Sequence, residues 1–364
     1  MPSADAFSIF PSISPSYVLL FQFSSWYSIF SRHSINSTII RPLSVEFREY
    51  LDADSVFVPE GSENTPVESS LSDDEDNLGN DDSDDDSEQK QYAFPELDQR
   101  IRDCITKYEA VFPKLNFSSP KDASWILPSS SPLKCTSPAD VYMLLKSSDF
   151  VSHDLDENRV FEGCGYESND ASDYELELVL RKWYSVDRGR EIRCFVRSNL
   201  LLGISQRDTN YYEFWNHEET QEKIVSAVRL FWEQNIKSRW VGQTDYTFDF
   251  LFTRDLSKGH ILDFNPYMPK TDPLLFTYDD LRDLFQAAQL AHDTESTLPL
   301  IRPTLRVVDS PTHPLAAKNA PAHQHNMIPY EAAHLSDGRN IEEFADLWKQ
   351  SVKGSVRSPS DIAD

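Results

Sequence analysis

The stretch YTFDFLFTRDLSKGHILDFNP, residues 246–266, decides the predicted fold. Both halves alternate in side-chain character with the period of a half-buried β-strand. The polar segment between them, residues 253–259, ends in Lys-Gly and suits a turn. The stretch is therefore predicted to form a β-hairpin. In its return strand, the alternation places Leu262 and Phe264 on one face and Ile261 on the other.

Two aspartates of this hairpin, Asp249 and Asp263, are predicted to face each other, and Asn265 lies on the same face as Asp263. Directly opposed side chains have Cβ atoms about 4.5–5.5 Å apart, where two like charges destabilise a sheet. A bound divalent cation would reverse that effect, because hard oxygen ligands suit magnesium. The alternative is a pair of solvated surface aspartates, and spacing alone favours neither interpretation.

The composition is that of an acidic protein with enough apolar residues for a large core. The 364 residues are 39% hydrophobic and 12% aromatic, and the formal net charge is -26 at pH 7. This charge argues against nucleic acid or an anionic membrane as a direct partner. The four cysteines form no C-x-x-C pair, which favours reduced thiols over a disulfide framework or a zinc site. We expect a cytoplasmic monomer.

An apolar run at residues 17–30 raises the question of a membrane span or a signal peptide. Its 14 residues fall short of the roughly 18 that a span needs. A signal peptide needs a basic segment first, and no Lys or Arg precedes Arg32. The run is predicted to form a core strand or an aromatic surface.

Shifts in composition divide the chain into five regions. They are a disordered extension (1–16), the N-terminal part of the folded core (17–58), an acidic disordered loop (59–90), the main core (91–300) and a Pro/His-rich tail (301–364). The tail ends in an amphipathic segment, residues 341–352, that is predicted to be a docking helix.

A group of cations is conspicuous in so acidic a chain. Strand alternation places Arg181 with Trp183 and puts Lys182 on the opposite face, while Arg190 and Arg193 follow across a turn. Facing the carboxylates of the hairpin, these cations would make a site for polyphosphate and a metal. The alternative is ordinary edge charges paired with neighbouring glutamates, and the pattern by itself favours that interpretation.

Lys114 and Lys121 could supply a second positive wall, and the segment Ser205–Asp208 ends a strand that could face the same cleft. Each is also explained as an ordinary polar strand end. The chain contains neither a Walker loop nor G-x-G-x-x-G, so phosphate would not be held by a standard P-loop.

Several strings, in order along the chain, resemble the cell division cycle protein 123 family. They are QFSSWY (22–27), FPKLNFSSPKDASWI (112–126), LVLRKWY (178–184), EIRCFVRSNLLLGISQRD (191–208), FDF (248–250), LDFNP (262–266) and HQHNMIPYEA (323–332). The chain departs from the pattern at Ser28, where proline is expected. Because several rare strings occur in the family's order, the resemblance is specific.

The resemblance implies an α+β, ATP-grasp-like fold. Its two lobes, one reaching to about residue 183 and the other spanning 184–300, would enclose a nucleotide cleft with mainly antiparallel sheets. Lys114 and Lys182 would reach the phosphates of ATP, and the Trp183–Tyr184 segment would meet the adenine. The predicted pocket lining is Asn116, Ser119, Arg181 and Arg193, together with Arg190 of the cationic group. The predicted magnesium ligands are Asp249, Asp263 and Asn265.

The resemblance also implies a role without catalytic residues. The resemblance implies an ATP-binding assembly chaperone that binds the γ subunit of eukaryotic translation initiation factor 2. It promotes joining of the α and β subunits, and so supports translation initiation and cell proliferation. The alternative is an ATP-grasp ligase that activates a carboxylate as an acyl phosphate. A third interpretation is an acidic scaffold without a ligand.

Overall fold

The computed structural model describes residues 8–53, 57–64, 91–128, 130–165, 174–240, 243–256, 258–294, 302–314 and 316. Its helices are α1 (Pro15–Leu19), α2 (Phe23–Phe30), α3 (Val45–Asp52), α4 (Pro95–Tyr108), α5 (Pro138–Lys146), α6 (Asp149–Leu155), α7 (Glu157–Val160), α8 (Glu218–Phe231) and α9 (Tyr278–Thr294). Its strands are β1 (Ser37–Ile40), β2 (Val111–Lys114), β3 (Leu178–Lys182), β4 (Glu191–Arg197), β5 (Leu200–Gln206), β6 (Tyr246–Phe252), β7 (Gly259–Pro266) and β8 (Thr304–Arg306).

These elements belong to the larger of two compact units, residues 1–208 and 212–307. The smaller unit comprises residues 209–211 and 308–364. The predicted tail helix at 341–352 and most of the predicted acidic loop lie outside the described residues. None of the helices that the structure describes has the length and apolar character of a membrane span.

The strands form two sheets, which confirms a mixed α+β fold. The smaller sheet has the order β1-β3-β2 and is antiparallel throughout. The larger sheet has the order β7-β6-β4-β5-β8 and is antiparallel except for the pairing of β5 with β8. Helices α3, α4 and α5 pack on one face of the smaller sheet, while α2 and α8 pack on the larger sheet.

Strand β3 is buried on both faces because it is the central strand of the smaller sheet. Leu178 and Leu180 point into the core of α3–α5, whereas Val179 joins the core of the larger sheet. Arg181 therefore shares the face of Val179, and the register places Lys114 opposite Val179 on the same face. The smaller sheet thus presents two cations toward the larger sheet.

The prediction of a core strand at residues 17–30 is wrong, because the run forms α1 and α2. Ser14 caps α1 by accepting a hydrogen bond from the amide of Tyr17. In α2 the buried side chains are Phe23, Trp26 and Phe30, whose spacing of three and four residues follows one helix face. Helical periodicity therefore outweighs the β propensity of these aromatic residues.

The predicted hairpin is confirmed as β6 and β7, but one face assignment is wrong. Asp249 pairs with Asp263, whereas Phe250 pairs with Ile261, so the register shifts by one residue at Leu262. An extra residue of this kind is a β-bulge, which reverses the alternation beyond it. Ile261 is therefore fully buried in the core and does not share the face of Asp263.

Part of the predicted disordered extension, residues 1–16, is ordered in the structure. The ring of Phe10 packs edge-on against Tyr278 with centroids 4.6 Å apart. The carbonyl of Ile13 accepts a hydrogen bond from the amide of Gly165 at 2.9 Å. Residues 8–16 therefore pack against the folded core, and residues 1–7 lie outside the described part.

Replacing Trp26 with alanine is expected to lower the free energy of unfolding by about 3–5 kcal/mol, the usual range for removing a buried tryptophan. Its ring is 0% exposed and lies edge-on to Phe264, with centroids 5.4 Å apart. The matched control is Ile29→Ala on the same helix, where the side chain is 39% exposed. Urea denaturation of both variants measures the difference, and equal losses of stability would contradict this packing.

Candidate functional site

Neighbouring strands β4, β6 and β7 bring one arginine and two aspartates into a row. The register pairs Arg193 with Asp249 and Asp249 with Asp263. Arg193 donates from Nε to one carboxylate oxygen of Asp249 at 2.7 Å and from Nη2 to the other at 2.9 Å. Its Nη1 donates to the carbonyl oxygen of Asp272 at 2.9 Å. This bidentate geometry fixes the carboxylate in one orientation.

A second cation reaches the row from the smaller sheet. Lys114, at the end of β2, places Nζ 2.9 Å from Oδ2 of Asp263. The lysine is 0% exposed, and its ammonium group lies 5.1 Å from the centroid of the Phe23 ring. We call Arg193, Asp249, Asp263 and Lys114 the charge row. Because each aspartate has its own cation, the opposed like charges of the hairpin are individually neutralised.

Three further charged side chains lie at the Arg193 end of the charge row. Nε of Arg207 is 2.8 Å from Oε1 of Glu191 and 3.4 Å from Oδ2 of Asp249. Nζ of Lys121 is 3.9 Å from the same glutamate oxygen. Lys121 and Arg207 thus share one oxygen of Glu191, and the charge of Arg207 lowers the pKa of Lys121. Positive charges gathered in this way suit a polyanionic ligand.

Sequence reasoning missed the role of Arg207, because the segment 205–208 carried no distinguishing motif. The alternation of side chains along β5 could have placed Arg207 at the site. Ser205 pairs with Arg193 in the register, so Arg207 at two residues further lies on the same face. The segment therefore does face the charge row, as the sequence suggested, and Arg207 pairs with Asp249 there.

The electrostatics of the charge row keep Asp249 ionised. Burial, which leaves it 3% exposed, raises the pKa of this carboxyl, but the charges of Arg193 and Arg207 outweigh burial. The pKa of Asp249 is consequently held well below its usual range. An ionised carboxylate at this position is a good ligand for a hard cation.

Arg181 lies on the same side of the smaller sheet as Lys114. Its guanidinium group donates to the carbonyl oxygen of Leu262 at 2.7 Å and to the hydroxyl of Ser34 at 3.4 Å. It also stands over the Phe23 ring, 5.4 Å from the centroid. Burial lowers the pKa of Arg181, and within the described residues its Nε finds no acceptor.

Two predicted pocket residues, Asn116 and Ser119, lie in the loop that follows β2. In the side chain of Asn116, Nδ2 donates to the carbonyl oxygen of Glu175 at 2.7 Å. Its Oδ1 accepts from the backbone amide of Glu177 at 2.9 Å. Asn116 thus ties the end of β2 to the chain that leads into β3. The carbonyl oxygen of Ser119 accepts from the amide of Lys121 at 2.8 Å, so these two residues share a tight turn.

The structure does not bring the remaining predicted residues to the charge row. Lys182 lies 5.4 Å from the ring centroid of Tyr184, which is 49% exposed. The indole of Trp183 donates to the carbonyl oxygen of Pro132 at 3.1 Å, and Arg190 pairs with Asp187 at 2.8 Å. In the described part of the chain, none of these four cofactor-site candidates makes a hydrogen bond or an ion pair to the charge row.

The donor set around Asp263 fits a magnesium ion that arrives with phosphate better than a bare metal site. The parts of the chain described by the structure contain no group of three or more His, Cys, Asp or Glu side chains that could hold a metal ion. Asp249, Asp263 and Asn265 supply two carboxylates and one amide oxygen, with Asn265 opposite Thr247 in the register. Magnesium in proteins is commonly bound by one or two carboxylates together with substrate phosphates.

Two surface cavities lie away from this site. One, of about 310 Å³, lies between α8 and the segment 302–305. The other, of about 270 Å³, lies between β1 and α4. Neither of these two cavities is lined by a residue of the charge row.

Comparison of the sequence with known proteins identifies its family. The family model described as D123 matches residues 26–336. The chain belongs to the D123 family. This membership confirms the resemblance to the cell division cycle protein 123 family.

Curated relatives cover nearly the whole chain. The translation initiation factor eIF2 assembly protein of Schizosaccharomyces pombe is 34% identical over 346 residues, covering 93% of this chain and 97% of the relative. The protein of the same name from Xenopus tropicalis is 36% identical over 337 residues, covering 91% and 95%. The solved structure of Cdc123 from Schizosaccharomyces pombe is similar with a TM-score of 0.63 and 31% identity, covering 82% of this chain and all of that one.

Replacing Asp249 with asparagine is expected to lower the free energy of unfolding by about 3–5 kcal/mol at pH 7, because buried Arg193 loses its partner. The folded-state pKa lies below the unfolded value of about 3.9, so the ionised carboxylate stabilises the fold. That contribution is complete above about pH 4 and is lost as pH falls toward the folded-state pKa. The difference in free energy of unfolding between parent and variant should therefore be about 1 kcal/mol smaller at pH 3 than at pH 7.

Urea denaturation at pH 7 and pH 3 measures this gap. The control is Asp103→Asn, because Asp103 is exposed on α4 and its gap to the parent should stay small at both pH values. A gap for Asp249→Asn that is unchanged or wider at pH 3 would contradict the low pKa of Asp249.

Proposed function

We propose that the chain binds magnesium-ATP at the charge row and acts as an assembly factor for eukaryotic translation initiation factor 2. The observation that carries the ATP part is the charge row itself, in which two carboxylates lie between cations contributed by both sheets. The assembly part is supported by relatives named as eIF2 assembly proteins, which are similar over almost their full length.

The chemistry of the charge row suits a polyphosphate with its metal. Arg193 and Lys114 already donate to carboxylates, so both are oriented donors that an incoming phosphate oxygen can share. Arg207 and Lys121 extend the positive region, and crowding of the two cations is relieved when an anion binds between them. When bound, the magnesium ion would neutralise part of the phosphate charge, and Asp249, Asp263 and Asn265 would hold it.

The origin of these residues in two sheets supports the proposal of an ATP-grasp-like cleft between the sheets. Lys114 and Arg181 come from the smaller sheet, while Arg193, Asp249 and Asp263 come from the larger one. A ligand bound among them would contact both sheets at once. Its binding energy would therefore favour one arrangement of the two sheets over others.

We further propose that the bound nucleotide holds the arrangement that recognises the partner, the γ subunit of eukaryotic translation initiation factor 2, in the cytoplasm. The family resemblance supports this choice of subunit. Binding would let the α and β subunits join, and no residue is assigned to catalysis. An acidic surface with a formal net charge of -26 is suited to a basic region of such a partner.

Replacing Asp263 with asparagine is expected to weaken magnesium-ATP binding at least about tenfold, equivalent to about 1.4 kcal/mol. The change removes a proposed metal ligand and leaves Lys114 without its ion pair. Isothermal titration with ATP in magnesium measures the effect, and the same titration in EDTA should show a smaller difference between variant and parent. The smaller difference is expected because the metal is then absent.

The matched control is Asp245→Asn, which also removes a carboxylate paired with an arginine of β4. Asp245 pairs with Arg197 outside the charge row, so its loss should leave ATP affinity within about twofold. Absence of ATP binding by the parent would refute the nucleotide proposal. Equal affinities of Asp263→Asn and the parent would refute the metal assignment.

The partner proposal predicts that the isolated γ subunit is captured by the chain at physiological salt. A pull-down with immobilised chain, repeated with α and β subunits separately, measures the preference. We expect retention of γ alone among the three. Magnesium-ATP binding without capture of γ would contradict the assembly role and favour the ligase alternative.

A further inference from the structure

The loop that follows β2, residues 115–123, is tied to a buried carboxylate on α6. The backbone amides of Phe117 and Ser118 both donate to Oδ2 of Asp154 at 2.8 Å. The hydroxyl of Ser118 donates to the other oxygen, Oδ1, at 2.9 Å. The loop therefore takes its conformation from Asp154 and not from a regular secondary structure.

Asp154 is itself rigidly held. It is 0% exposed, so the donors from the loop replace the water that an ionised carboxylate requires. Nδ1 of His153 lies 3.1 Å from Oδ1, and the hydroxyl of Tyr174 donates to the carbonyl oxygen of Asp154 at 2.6 Å. A buried anion with these partners leaves the loop little freedom to shift.

A second carboxylate ties the far side of the same loop to the same helix. Oδ1 of Asp122 accepts from the hydroxyl of Ser148 at 2.6 Å, and Oδ2 accepts from the amide of Asp149 at 2.7 Å. Ser119 and Lys121 thus lie between two points at which the loop is fixed to α6. These are the loop residues that sequence reasoning assigned to the site.

Fixing the loop matters because it holds Lys121 beside a like charge, since Lys121 and Arg207 share one oxygen of Glu191. Its ammonium group lies near Arg207 and is 3.9 Å from Glu191, while half of the side chain is exposed. A loose loop would let Lys121 move away from the like charge of Arg207 into water. Such a movement would have to be reversed at a cost in free energy whenever an anion binds.

We propose that Asp154 is a positioning residue for phosphate binding. It holds the 115–123 loop so that Lys121 stays beside Glu191 and Arg207, at the end of the charge row, before the ligand arrives. The inference rests on the proposed binding of magnesium-ATP. It assigns to α6, which carries none of the predicted ligands, the preorganisation of one side of that site.

The test compares ATP with adenosine, which lacks phosphate. Asp154→Ala should weaken magnesium-ATP at least fivefold in isothermal titration and leave the affinity for adenosine, measured by saturation-transfer NMR, within about twofold. Asp154→Asn keeps one acceptor oxygen for the two amides and should restore ATP affinity to within about twofold of the parent. The matched control is Asp98→Ala, because Asp98 is also buried and accepts from the hydroxyl of Tyr142 at 2.6 Å.

The outcomes separate the two proposals. A parent chain that binds no ATP refutes the proposed function and the inference with it. A parent that binds ATP while Asp154→Ala binds equally well, or loses ATP and adenosine affinity equally, overturns the inference alone. If Asp154→Ala does not fold, Ser118→Ala removes one hydrogen bond to Asp154. It should weaken magnesium-ATP binding by more than about twofold and leave the affinity for adenosine within that margin. An unchanged ATP affinity for that variant also overturns the inference.

Discussion

The ion pair between Lys114 and Asp263 is the interaction on which the rest of this site depends. It joins the smaller sheet to the hairpin of the larger one, and it neutralises the aspartate that faces Asp249. Without it, two carboxylates would lie side by side with cations on the Asp249 side alone, namely Arg193 and Arg207. The pairing of each carboxylate with its own cation lets the fold keep a concentration of opposite charges, which the proposed magnesium-phosphate ligand would use.

The ion pair has its own support, and this support connects it to the N-terminal segment. The ring of Phe23 lies beneath both Lys114 and Arg181, and Phe23 begins α2. That helix has no capping side chain of its own, and the buried carboxylate of Glu177 accepts from the amide of Ser24 at 2.9 Å in its place. Local helix capping, aromatic packing and the geometry of the charge row therefore depend on one another.

Much of the larger sheet was predictable from the sequence, because the alternation of β6 and β7 specifies a hairpin and places Asp249 opposite Asp263. The bulge at Leu262 was not predictable, because the hydrophobic pattern does not distinguish an extra residue from a regular strand position there. The cations that neutralise the aspartates were found by residue type, but which cation pairs with which carboxylate depends on strand order. Strand order arises from contacts between residues far apart in the chain, as between Lys114 and Asp263, and no local pattern encodes it.

A crystal structure of the chain with manganese-ATP would show whether the charge row binds magnesium-ATP as proposed. Manganese prefers similar oxygen ligands and gives an anomalous signal that locates the metal independently of the phosphates. We expect an anomalous peak bound by oxygens of Asp249, Asp263 or Asn265, with Lys114 and Arg193 contacting phosphate. A peak elsewhere, or a nucleotide bound away from the charge row, would contradict it.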